Sequence, residues 1–136
     1  MLALAAAGSG AAQAATKKPA AVVRAWSAAL NVNDNETAAR LFAKNARVLQ
    51  PNVDLRLTSH ELAVEWNDAL PCAGRITRLQ VKGTQVVATF LLGERPEHVC
   101  DGPGEKAAAL FVVRNGRIVL WKQVPVPAPK KKEPSA

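Results

Sequence analysis

Ala107-Ala108-Ala109-Leu110-Phe111-Val112-Val113, then Arg114-Asn115-Gly116, then Arg117-Ile118-Val119-Leu120-Trp121-Lys122-Gln123-Val124 is the stretch that decides the fold. Two apolar, β-branched runs flank an Asn-Gly pair. That pair tolerates the positive φ angles of a tight hairpin turn, so both runs are expected as paired antiparallel strands. Immediately upstream, Ile76 to Val81 and Gln85 to Leu92 flank Lys82-Gly83-Thr84, and the same reasoning gives a second hairpin. The C-terminal half is therefore a set of four longer strands.

Further upstream the period lengthens. Val22, Val23, Trp26, Ala29 and Leu30 recur at helical spacing, and Pro19 suits a first turn, which predicts a helix over residues 20–31. Asn33 with Glu36 has capping-box spacing and opens a short second helix with Ala38, Ala39, Leu41 and Phe42 as its buried stripe, ended by Asn45. Arg47 to Gln50 is extended, Pro51-Asn52 turns the chain, and Leu55-Arg56-Leu57 pairs back. Thr58 with Glu61 repeats the capping-box spacing and starts a third helix lined by Leu62, Trp66, Ala69 and Leu70, stopped at Pro71. Three helices followed by a sheet must bury one sheet face, which is an α+β architecture.

Val22 to Asn31 with Asp34, then Leu41-Phe42-Ala43 and Ala46-Arg47-Val48, resemble the opening of the nuclear-transport-factor-2-like superfamily, the cone of ketosteroid isomerases and SnoaL-like cyclases. Asn115-Gly116-Arg117-Ile118 to Trp121 is similar to its last hairpin. The resemblance implies a cone-shaped, strongly curved antiparallel sheet covered by three N-terminal helices, with a pocket between them. It says little about function, because this fold hosts many chemistries.

The resemblance also implies where catalytic groups stand in the isomerase branch. The tyrosine that donates to an oxyanion corresponds to Trp26, the carboxylate base to Gln50, and a protonated second acid to Ala109. An amide cannot take a proton at neutral pH. With all three positions replaced, the expectation is a module that holds a small apolar ligand or a partner protein without chemistry. The pocket would use Trp26, Phe42, Gln50, Trp66, Asn67, Phe111, Trp121 and Gln123. As plain core packing the three tryptophans need no function, and both readings stand at this level. The competing enzyme reading is a SnoaL-like cyclase or hydratase in which Gln50, His60 or Asn67 orders a water, with His60 oriented by Glu61 or Glu65. A third reading is a homodimer through the exposed sheet face. No cofactor is implied, since the chain has no Gly-rich phosphate loop, nucleophile elbow or HExxH motif, and no tyrosine.

Cys72 precedes the first long strand and Cys100 follows the second, so a hairpin brings them to one end, where a disulfide is expected. The alternative joins His98 to both cysteines around a metal, but His98-Val99-Cys100 lacks CxxC spacing and a fourth ligand.

The chain of 136 residues has room for one domain: residues 1–18 as leader and basic spacer, 19–125 as the folded body, and 126–136 as a Pro/Lys-rich solvated tail. Leu2 to Ala7 followed by Ala12-Gln13-Ala14 fits a signal-peptidase pattern, giving an exported protein, although no basic residue precedes the apolar run. The run is too short to span a membrane. The net charge of +7 is concentrated at the ends: Lys17, Lys18, Lys130, Lys131 and Lys132 are 5 of 18 basic residues, leaving 13 Lys+Arg against 10 Asp+Glu, or +3, in residues 19–129. That is too weak to argue for nucleic acid on charge, so no specific nucleic-acid partner is expected, and it leaves weak contact of the lysine tail with an anionic surface.

Overall fold

The structure, a computed structural model, describes residues 17–129; the expected leader cleavage site and the Lys130–Lys132 run lie outside the described residues. Helix α1 (Pro19–Asn31) has Pro19 in its first turn and buries Val22, Val23, Trp26, Ala29 and Leu30, the stripe that the spacing predicts, together with Ser27. A short α2 (Asn35–Arg40) and α3 (His60–Asp68) complete the helical layer.

Both caps fall one residue later than expected. Asp34, not Asn33, accepts from Thr37 N at 3.1 Å, and Asn33 takes a left-handed φ of 64° to reverse the chain. Ser59, not Thr58, accepts from Leu62 N at 3.1 Å. Each acceptor lies three residues before the amide that it reaches, the geometry of an N-cap side chain. The second helix is also shorter than predicted. Phe42 begins strand β1 (Phe42–Gln50) instead of lying on the helix stripe, and Asn45, with φ 67°, sits inside that strand where its register slips between Phe42 and Arg47. Asparagine tolerates the left-handed conformation, so the expected helix stop is a strand bulge.

The remaining strands are β2 (Val53–Leu57), β3 (Ala73–Lys82), β4 (Gln85–Gly93), β5 (Lys106–Arg114) and β6 (Arg117–Val124). They form one curved, unclosed sheet in the order β2-β1-β6-β5-β4-β3. The β3–β4 and β5–β6 hairpins turn where predicted, with Gly83, Asn115 and Gly116 all at positive φ. Four ladders are antiparallel. The fifth, between β1 and β6, is parallel and brings the first strand beside the last, pairing Val48 with Trp121. Register shifts in β1, in β3 between Ile76 and Arg78, and between Val112 and Val113 bend the strands and give the sheet its curvature.

The α+β architecture is thus the expected one, with the helices over the inner sheet face. All six aromatic residues join one cluster there. Trp26 lies 5.3 Å from Phe111 and 6.2 Å from Phe90, Trp66 lies 4.9 Å from Trp121, and Phe42 packs on Trp66 at 5.6 Å, mostly edge to face. No helix among the described residues is long and apolar enough to cross a membrane.

Candidate binding cavity

The aromatic cluster does not fill the inner concavity. At the end of the sheet away from the Gly83 and Asn115 turns, a cavity of about 260 Å³ remains. Its walls follow from the topology. They comprise the last turns of α1 (Trp26, Ser27, Leu30, Asn31), the last residue of β1 (Gln50), the start of β3 (Gly74), the end of β4 (Phe90, Leu92), the start of β5 (Ala107 to Ala109), and Trp121 and Gln123 of β6. Leu70, Pro71 and Cys72, between α3 and β3, close one side, and exposed Asp101 stands at the rim.

Trp26, Gln50 and Ala109, the three positions to which the resemblance assigns catalytic groups, converge on this cavity. None brings acid–base chemistry to it. The indole N–H of Trp26 is engaged by Asn67 Oδ1 at 2.8 Å. Gln50 is a neutral amide whose Oε1 accepts from Trp66 Nε1 at 3.1 Å. Ala109 offers a methyl group.

Of the other residues predicted to line the pocket, Trp121 and Gln123 do so. Phe42, Trp66, Asn67 and Phe111 do not. Phe42 lies at the opposite end of β1, where it pairs with Ile118, and Trp66 is wedged between Phe42 and Trp121. Phe111 is fully buried under Trp26. Asn67 is also fully buried; with its oxygen on Trp26 it donates Nδ2 to Ala63 O at 2.8 Å, so it supports the wall from behind.

His60 corrects the water-positioning pair. It opens α3 on the outer surface and holds Glu36 Oε1 at 2.7 Å from Nε2, across the contact with α2, instead of Glu61 or Glu65 on its own helix. It is absent from the cavity wall that holds Gln50.

Cys72 and Cys100 form the expected disulfide. With Asp101 they are the cluster of possible metal ligands among the described residues, and the bridge removes both thiolates that a cation would need. His98 takes no part. Its Nδ1 lies 2.7 Å from Pro96 O and its Nε2 lies 2.8 Å from Asp68 O, and these two carbonyls hold the imidazole above its ordinary pKa.

Arg95, which the sequence reading missed, anchors the same loop. It is buried at 2% exposure and donates Nη1 to Asn67 O at 2.8 Å and to Leu70 O, and Nη2 to Asn35 Oδ1. The last carbonyls of α3 lack partners within the helix, and a guanidinium with five donors satisfies them. Burial draws its pKa below the ordinary arginine value. Arg95, His98 and the disulfide thus fix the Leu70–Cys72 wall of the cavity. In the sequence Glu94-Arg95-Pro96-Glu97 reads as an ordinary charged loop, so no local signal marks it.

Neither a family model nor a curated protein matches the sequence. Solved structures match the fold. An NTF2-like protein of unknown function from Cytophaga hutchinsonii superposes with a TM-score of 0.65 at 14% identity, over 80% of this chain and 91% of that one. A hypothetical protein with a ketosteroid isomerase-like fold from Catenulispora acidiphila, in complex with trimethylamine, gives 0.59 at 21% identity over 76% and 84%. A de novo designed protein with a curved β-sheet gives 0.64 at 17% over 77% and 82%. This chain therefore has the NTF2-like fold. Because the same backbone is shared with a designed protein, the likeness speaks for architecture, and function has to be argued from the cavity.

Proposed function

We propose that the domain holds a small apolar molecule in the cavity bounded by Trp26, Gln50 and Trp121, and carries out no reaction on it. One observation carries this reading: the three positions that would supply donor, base and acid meet at the cavity wall as an engaged indole, an amide and a methyl group. The walls are largely aromatic and aliphatic with a few amides, the usual make-up of a small-molecule site. At about 260 Å³ the space suits a compact ligand and is too small for a folded partner segment.

The cyclase or hydratase reading has less support. It needs a base near the amide that orders the water, and His60 faces Glu36 instead. The disulfide supports an exported protein, since such bridges persist in oxidising compartments.

The test is titration of the oxidised protein with a panel of hydrophobic compounds, followed by tryptophan fluorescence, with each bound compound recovered and analysed. Quenching with unchanged compounds is expected. A recovered product that still forms in Gln50→Ala or Ala109→Leu protein would mean chemistry elsewhere, and silence across the panel would remove the binding reading.

A further inference from the structure

The polar groups of the cavity wall are not equally available. Ser27 Oγ donates to Gly74 O at 3.2 Å, and Asn31 brackets the same residue, donating Nδ2 to its carbonyl at 2.8 Å and accepting its N–H at 2.9 Å. Trp26 is engaged by Asn67. What remains is the indole N–H of Trp121, buried and without a partner among the described residues, and an adjacent pair of less buried amides. Val48 and Trp121 are partners in the parallel β1–β6 ladder, so Gln50 and Gln123, each two residues further along its strand, are neighbours on the inner face. Gln123 in turn pairs with Ala109 across β5, which makes a single row along the cavity floor.

The orientation of Gln50 within that row is fixed. An indole N–H can only donate, so the atom of Gln50 that lies 3.1 Å from Trp66 Nε1 has to be the carbonyl oxygen. The NH2 end is then the part of the side chain without a protein partner among the described residues. The position that the resemblance gives to a proton-accepting carboxylate therefore presents donors. Among the described residues no Lys, Arg or His lines the cavity, and the one charged group there, Asp101, is acidic and at the rim.

Resting on the binding role proposed above, we infer that the ligand is a neutral molecule with a hydrogen-bond acceptor, such as a ketone, ester or ether oxygen on a hydrocarbon frame, and that Gln50 donates to it. An anion finds no counter-charge in the cavity and meets Asp101. A cation, which offers only donors or alkyl groups, finds no acceptor in the NH2 group of Gln50; Asp101 at the exposed rim and the aromatic walls are the features that favour one, and a cationic probe tests them directly. Trp66 acts as a positioning residue: it touches no ligand and sets which end of the amide the ligand sees.

The probes are acetophenone, its carbonyl-free counterpart ethylbenzene, benzoate and trimethylammonium, titrated calorimetrically into the oxidised protein. Acetophenone is expected to bind about 5-fold tighter than ethylbenzene, the value of one net hydrogen bond, and tighter than either ion. Gln50→Leu should abolish that preference, read as the ratio of the acetophenone and ethylbenzene affinities within the variant. Trp66→Phe, which frees the amide to turn and lies outside the cavity wall, should reduce the same ratio with ethylbenzene binding retained. Equal affinities for the two neutral probes, an ion binding best, or a preference that survives Gln50→Leu each overturns the inference and leaves the binding role standing. Failure of all four probes to bind overturns the binding role itself, and the inference with it.

Discussion

Trp26 Nε1 donates to Asn67 Oδ1 at 2.8 Å across 41 residues of sequence, tying α1 to α3 in the buried interior behind the cavity. Asn67 is fully buried and its Nδ2 donates to Ala63 O, so both ends of its amide are in use. Asn67→Leu conserves volume but leaves the Trp26 donor unpaired. A loss of about 2–3 kcal/mol in urea denaturation is expected. Adding Trp26→Phe removes the orphaned donor, and the double variant should lose less than the two single variants summed. A strictly additive pair would mean that the hydrogen bond contributes nothing.

Thr89 on β4 shows the opposite case. Its side chain is buried at 5% exposure, and Oγ1 has no hydrogen-bond partner among the described residues. Valine has the same shape and β-branching and no hydroxyl to desolvate. Thr89→Val should therefore stabilise the domain by about 1 kcal/mol, seen as a rise of roughly 4 °C in melting temperature. The backbone carbonyl of Thr89, which accepts from Thr77 Oγ1 at 3.3 Å, is unaffected by the change. A lower melting temperature would show that the hydroxyl has found a partner, such as a bound water.

Cys72 and Cys100 close a loop with a sequence separation of 28, which in the chain-entropy model corresponds to about 3.5 kcal/mol. Paired replacement of both cysteines by serine should cost close to that amount. Because Cys72 lies in the cavity wall, ligand affinity should fall along with stability. Thiol titration of the native protein should find no free thiol before reductant and two after it; two reactive thiols in the oxidised protein would exclude the bridge.

The hairpins were legible in the sequence because their signals are local. The period of two and the Asn115-Gly116 pair act within a few residues, and the same holds for the buried face of α1. The caps were legible only to within one position: Asn33 and Asp34, like Thr58 and Ser59, are adjacent and equally competent as N-caps. Phe42 follows Ala38 at helical spacing, and only tertiary pairing with Ile118 reveals it as a strand residue. The parallel β1–β6 ladder has no local signature, and with it the adjacency of Gln50 and Gln123 was hidden. Trp26 and Gln50 were placed by resemblance. Trp66 and Asn67 were not separable from cavity residues because helix periodicity gives a buried face without saying what lies opposite it. Arg95 had no signal at all, since its partners are the carbonyls of a distant helix end.

His98 gives the fold a pH dependence whose sign follows from its partners. Both ring nitrogens face carbonyl oxygens, Pro96 O for Nδ1 and Asp68 O for Nε2, with Asp68 Oδ1 at 3.1 Å from the latter. A neutral imidazole has one N–H and leaves one of these acceptors opposite a lone pair, whereas the imidazolium donates to both. The folded state therefore holds the proton more tightly than the unfolded chain, and the Pro96 carbonyl is the largest cause. A raised folded pKa contributes stability that is complete below the ordinary histidine value near 6.5 and is lost as pH climbs through the folded value. Denaturation curves should show stability falling as pH rises above about 6.5. His98→Gln, which cannot gain charge, should flatten that limb by lowering stability on the acidic side, where the imidazolium contributes, and should change it least at alkaline pH. A decline of the same size in His98→Gln protein would exclude His98 as its source.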